Sequence, residues 1–230
     1  MIMALDIKKL GVLFALIALM MFVPSLLVYA VLPAATLPVA DSDTVFIIDA
    51  GHGGFDGGAV SRDGVVEKDL NLKIAKFLQT ELIKTGATVI MTRDSDTSLA
   101  SSKKEDIINR LKIAKDNPNA VFVSIHCNKF TQPQYSGLQT FYADTDGSAE
   151  LAAKIQQKYN TIINTSCTRT ARRAEDTIYL MRNAVTPAII VECGFLSNAE
   201  ETVLLQDEYY QIKLAKIISD SLIELYIERK

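Results

Sequence analysis

Cysteine is scarce in this chain. Of 230 residues only Cys127, Cys167 and Cys193 are cysteine, an odd number that builds no disulfide framework and leaves at least one thiol free or bridged to another chain. Histidine is scarcer still, with His52 and His126 alone. A surplus of positive charge is also missing. The 24 Lys and Arg against 27 Asp and Glu leave a net charge of −3, so there is no basic field and no nucleic-acid partner is expected. Internal repeats and low-complexity tracts are absent. The glycine-rich stretch after Ile48 contains no G-x-x-x-x-G-K-[ST], and its G-x-G-x-x-G register fails at Asp56, which counts against a nucleotide cradle. No H-E-x-x-H occurs either, which counts against a zincin-type peptidase.

The last absence is local. After Lys8 and Lys9 no charge appears until Asp41, and Leu10 to Val23 is an almost unbroken apolar run that resumes at Leu26 after Pro24-Ser25. The two parts together can span the ~30 Å of a bilayer as one kinked helix, whereas the first part alone has the length of a signal-peptide core. Residues 1–35 are therefore expected to be a signal peptide or a retained membrane anchor, and residues 36–43 a linker. Val28-Tyr29-Ala30 offers a tolerable cleavage site. Positive charge ahead of the run fits both readings, and both place the remainder outside the cytoplasm, secreted or membrane-anchored.

Beyond the linker the chain alternates between two periodicities. Apolar, β-branched runs at Val45–Ile48, Ala87–Thr92, Ala120–His126, Gly137–Ala143, Ile178–Met181 and Pro187–Glu192 read as strands. Helical faces recur over Glu67–Thr85, which Gly86 is placed to end, and over Asp106–Asp116, Ser148–Asn164 and Gln211–Tyr226. The stretch Thr168–Asp176 is polar, arginine-rich and loop-like, and Gly194–Asn198 turns into another helix. Such alternation predicts an α/β fold over residues 44–230, a single domain with a twisted, largely parallel sheet flanked by helices.

In such sheets ligands bind beyond the carboxyl ends of the strands. His52 lies in the glycine-rich loop leaving the first strand, among Gly51, Gly53, Gly54, Gly57 and Gly58. His126 ends the third strand, Glu192 ends the PAIIVE strand, and Glu67 opens the first helix. Each has a plainer reading: a turn histidine, a carboxylate complementing a helix dipole, a strand-end cap. Together they suit zinc hydrolysis. Two imidazoles and one carboxylate leave a tetrahedral position open for water, whose pKa the ion brings from ~15.7 towards ~7. A second carboxylate off the metal then moves the proton, and the four apolar residues before Glu192 favour a raised pKa there.

Six collinear blocks carry a further signal: IDAGHGGFDGGA, GVVEKDLNL, TVIMTRDSD, AVFVSIHCN, SGLQTFY and PAIIVECGFLSNAEE. In these blocks the chain resembles the zinc-dependent N-acetylmuramoyl-L-alanine amidases of the amidase-3 family, from about Val45 to Tyr226. The resemblance implies Zn2+ held by His52, Glu67 and His126, with Glu192 as catalytic base and acid. It also implies a peptidoglycan substrate cut between the lactyl group of N-acetylmuramic acid and L-alanine. Asn128 is a candidate substrate contact or a loop-forming residue, and Arg93 and Arg110 match family positions as structural residues. Ala50 stands where the family usually has proline. Strand alternation turns Cys127 and Cys193 away from the faces of His126 and Glu192, so neither is assigned to zinc.

Only Lys129–Ser136 separates the second histidine block from the next strand, too short for the inhibitory insertion of regulated members, and no separate wall-binding module is visible. A membrane segment before a bare catalytic domain is similar to the germination-specific, CwlD-type amidases of spore formers. That likeness implies a role in spore cortex maturation and muramic-lactam formation, at the forespore envelope. An accessory protein is compatible with the exposed loops but not identifiable from them. Other expectations left open are a different zinc cell-wall hydrolase (deacetylase or peptidase) and a catalytically idle wall-binding module.

Overall fold

The computed structural model describes residues 44–228; the expected export segment, residues 1–35, and its linker, residues 36–43, lie outside them. Among the described residues no helix is long and apolar enough to cross a membrane. In chain order the elements are β1 (Val45–Ala50), α1 (Glu67–Lys84), β2 (Thr88–Met91), α2 (Lys103–Asp116), β3 (Val121–Asn128), β4 (Gln139–Tyr142) and α3 (Ser148–Lys158). Next come a π-helical turn (Tyr159–Ile163), β5 (Arg172–Arg173), α4 (Tyr179–Arg182), β6 (Ala188–Phe195), α5 (Ala199–Gln206) and α6 (Glu208–Glu228).

The strands form one six-stranded sheet in the order β2-β1-β3-β6-β4-β5. β1, β2, β3 and β6 run parallel, and β4 pairs antiparallel to β6 and parallel to β5. Strand side chains alternate between faces, and here the alternation divides the core in two. Phe46 and Ile48 of β1, Val123 and Ile125 of β3, and Ile189 and Val191 of β6 pack with α1, α3 and α6. Ile47, Phe122 and Ile190 face the other way, towards Leu111 and Ala114 of α2 and Leu180 and Met181 of α4. A single α/β domain with a mostly parallel sheet is the expected fold.

Local chemistry explains where the elements begin and end. α1 stops where Gly86 takes φ +90°, its N–H donating to Ile83 O while Thr85 N–H and Oγ1 both donate to Leu82 O. α2 starts three residues before the expected Asp106, because Ser102 Oγ accepts from Glu105 N–H as a cap. One expectation is overturned. Ile178–Met181 is no strand: Tyr179–Arg182 forms a single helical turn, with Arg182 N–H donating to Ile178 O. Neighbouring Leu180 and Met181 are both buried, which one face of a strand cannot achieve, and a run this short carries no decisive period. The real short strand, Arg172–Arg173, lies in the segment read as loop. Both its arginines are exposed, so no apolar signal marks it.

Leu78 is fully buried on the sheet-facing side of α1. Leu78→Ala is expected to destabilise the domain by about 2–5 kcal/mol, seen as a lower urea midpoint at unchanged m-value.

Candidate metal centre and active-site cleft

Three adjacent strands turn polar on the same face as they end. The rows run Ile47–Asp49 on β1, Phe122–Ser124–His126 on β3 and Ile190–Glu192 on β6, with Asp49 paired to Ser124 and His126 to Glu192. The residues that interrupt the apolar pattern are thus side by side at the carboxyl edge. Beyond them lies a cleft of about 370 Å³, whose lining includes His52, His126 and Glu192, with Ile178, Tyr179 and Leu180 forming a wall beside them.

Two buried guanidinium groups hold the turn that comes after β1. Arg93 donates from Nε to Ala50 O at 2.8 Å and from Nη2 to Gly51 O at 3.0 Å. Arg110, on α2, donates from Nη1 to Ala50 O at 2.9 Å and from Nη2 to His52 O at 2.7 Å. The same Nη1 bonds Asp49 Oδ1 at 2.6 Å, and Nε bonds Asp106 at 2.7 Å. Asp49 also accepts from Thr92 Oγ1 and Ser124 Oγ. Burial pushes the Asp49 carboxyl up, but Arg110 and the two hydroxyls outweigh it and hold it below the usual carboxylate range.

His52 emerges from this turn in the left-handed region, φ +62°, a conformation that costs a non-glycine residue about 1–3 kcal/mol. Its Nε2 lies 3.2 Å from Glu67 Oε2, and its Nδ1 2.9 Å from Asp56 Oδ2. The other oxygen of Glu67 lies 2.9 Å from His126 Nδ1, and the two imidazole rings meet edge to face at 4.9 Å. The loop fits closely around this cluster: a Cβ at Gly58, which has φ +70°, would fall 2.5 Å from Glu67 Oε2 and 2.6 Å from the His52 ring.

One ligand atom from each of His52, Glu67 and His126 lies within 4.8 Å of the others. Two imidazoles and a carboxylate are a donor set suited to zinc, and the local field favours positive charge. Burial presses the His126 imidazole down, yet the hydrogen bond and charge of Glu67 lift it to about 9. Burial raises Glu67, and the two imidazoles more than reverse that, holding it well below the ordinary carboxylate range. The Glu67 carboxylate is further oriented by N–H groups of Ala59 at 2.7 Å and Cys127 at 3.2 Å, and by Asn71 Nδ2 at 3.3 Å.

Glu192 is different. Its Oε2 is buried without a hydrogen-bond partner, and burial pushes its pKa up to about 7, with the imidazoles opposing and Glu67 adding to the rise. A carboxyl group that exchanges protons near neutrality therefore stands beside His126. Asn128 is half-buried at the end of β3, and its carbonyl accepts from Leu196 N–H at 2.7 Å; it is not among the residues lining the cleft. Cys127 and Cys193 are buried in the core on the opposite face, where burial raises both thiols. Asp49 and Asp56 are site residues that the sequence reading does not single out. A lone carboxylate inside the apolar β1 run is the available signal for Asp49; Asp56 sits among glycines as one polar loop residue of many.

The sequence model of the N-acetylmuramoyl-L-alanine amidase family, Amidase_3, matches residues 46–224. The chain is 37% identical over 197 residues to the germination-specific N-acetylmuramoyl-L-alanine amidase of Bacillus subtilis, covering 82% of each. It is similar in structure to the CwlD amidase of Clostridioides difficile, solved in complex with the GerS lipoprotein, with TM-score 0.73 and 38% identity over 81% of this chain and 100% of that one. The catalytic domain of CwlV, an N-acetylmuramoyl-L-alanine amidase from Bacillus (Paenibacillus) polymyxa, matches with TM-score 0.70 and 32% identity, covering 81% and 99%.

The folded pKa of Asp49 lies below its unfolded value, so its ionised form stabilises the domain above about pH 4. That contribution is lost as pH falls through the folded value. Arg110→Met leaves Asp49 buried beside two hydroxyls alone. The variant is expected to lose about 3–5 kcal/mol at neutral pH and to begin its acid loss at higher pH than wild type, measured by urea unfolding across pH.

Proposed function

The chain belongs to the N-acetylmuramoyl-L-alanine amidase family, and on that footing we propose that it is a zinc enzyme that strips peptides from muramic acid in the spore cortex. The peptidoglycan amidase activity follows from the family; the zinc, the residue roles and the cortex are our reading. The observation that carries it is the convergence of His52, Glu67 and His126 around one point, with the half-buried Glu192 beside them and its Oε2 without a hydrogen-bond partner.

In this reading His52, Glu67 and His126 hold the ion. Zinc there supplies Lewis acidity, polarising the amide carbonyl and acidifying water near neutral pH. Glu192 takes the proton from the attacking water and returns it to the departing amine of L-alanine. A carboxyl poised near 7 can act in both directions. Glu67, held ionised by its neighbours, is unsuited to that exchange and serves as ligand. The cleft runs from these groups to the exposed Tyr179 on α4, which leaves room for the muramoyl peptide. Asn128 remains a candidate contact at the same sheet edge.

The germination-specific relative, matched over 82% of each chain, supports the cortex assignment. Residues 1–35 act as export signal or anchor, which puts the enzyme outside the cytoplasmic membrane. Since the C. difficile CwlD structure holds the GerS lipoprotein, a lipoprotein is the class of accessory partner we propose for this chain.

His52→Ala and His126→Ala are expected to lose both bound zinc and activity. Glu192→Gln is expected to keep one zinc while turnover falls by at least 10²-fold. Metal content by elemental analysis and mass spectrometry of digested cortex check this: free L-Ala amino termini must appear, and released acetate in their place would identify a deacetylase. Zinc loss in Glu192→Gln alongside retention in His126→Ala would reverse the assigned roles.

A further inference from the structure

Among the described residues His52 is the one non-glycine with positive φ, and both its ring nitrogens are engaged. Nε2 faces Glu67, and Nδ1 meets Asp56 Oδ2 at 2.9 Å. Asp56 itself is pinned. Its Oδ1 takes Lys103 Nζ at 2.8 Å and the N–H of Gly58 at 3.2 Å. Its backbone closes a two-way bridge with Gly53, N–H to O at 2.9 and 3.1 Å. Lys103 is the first residue of α2, the helix whose Arg110 grips the His52 carbonyl. One helix therefore reaches His52 twice, through its backbone and, by way of Asp56, through its ring.

We propose that Asp56, anchored by Lys103, is a positioning residue for the metal centre: it accepts the Nδ1 proton of His52 and so fixes the tautomer whose Nε2 lone pair points at Glu67. The proposal rests on the zinc reading above. A neutral imidazole can carry its proton on either nitrogen, and with the proton on Nε2 the ring offers the site a donor where a cation needs an electron pair. The carboxylate at Nδ1 removes that state and holds the ring in one orientation. His126 is arranged differently. It meets Glu67 through Nδ1, and its Nε2 edge lies against Gly51. The two histidines thus offer opposite ring nitrogens, and Asp56 serves His52. Lys103 is two-thirds exposed, at 66%, so its share is the smaller one: it holds the Asp56 rotamer.

Two measurements on the zinc-loaded full chain test this. Long-range 15N correlation spectra of the wild type should show His52 protonated at Nδ1 and unprotonated at Nε2. The reverse pattern overturns the proposal, and that measurement depends on no variant being folded. Competition against a chelator gives the zinc Kd. Asp56→Ala should raise it by about 10–100-fold. Asp56→Asn, which keeps an oxygen acceptor, should raise it less, and Lys103→Met least, all at urea midpoints that show folded protein. A wild type that binds no zinc defeats the functional reading itself. Tight wild-type binding with an unchanged Kd in Asp56→Ala defeats only the role given to Asp56.

Discussion

The Arg110–Asp49 contact, 2.6 Å and almost wholly buried, is the constraint on which the rest of the site depends. A buried ion pair is weak evidence for stability by itself, because desolvation offsets much of its attraction. Its use here is geometric. Asp49 and Asp106 fix the guanidinium at the end of β1, from where Nη1 also reaches Ala50 O and Nη2 reaches His52 O. Arg93 closes on Ala50 O and Gly51 O as well. Three successive carbonyls of a tight turn, which a strand can no longer pair, are satisfied by two cations. The strain of His52 at φ +62° persists because these bonds over-determine the backbone around it.

Held that way, the turn sets two carboxyl groups on different courses. Glu67 receives two imidazoles and two backbone N–H groups, and those favourable bonds to its charged form exceed the burial penalty. Glu192 has burial and a nearby like charge, with the imidazoles as partial offset, and it stays near neutrality. Environment, not residue type, makes one glutamate suited to ligation and the other to proton exchange.

How legible all this is depends on the kind of signal. His52, Glu67, His126 and Glu192 stand out because the strand-end rule collects them at one edge, and collinear motif blocks tie them to a family. The burying periods of α1 and β3 are plain for the same reason that they pack: period and face coincide. Asp49 and Asp56 are opaque because their partners, Arg110 and Lys103, are far off in sequence, and only tertiary contact gives them meaning. The α4 turn reads wrongly as a strand since four residues are too few to have a period to test. β5 escapes notice since two exposed arginines carry none. The N-cap at Ser102 is legible in principle, as S-x-x-E, but the first apolar-faced turn gives the stronger signal and draws the helix start to Asp106.

The cysteines show what the sheet's two-residue period accomplishes. Cys127 and Cys193 each adjoin a residue of the proposed site, His126 and Glu192, and a thiolate is a softer and stronger zinc donor than a carboxylate. Had either thiol shared the face of its neighbour, it could have closed the position that the proposed zinc centre leaves open, making that centre structural instead of catalytic. Alternation turns both into the core beneath α1, α3 and α6, and burial raises their pKa values so that they remain protonated there. The irregularity in β3–β6 pairing falls after His126 and Glu192, between His126 and Asn128. Register is therefore kept through the last pair that must face the cleft, and relaxed only beyond it.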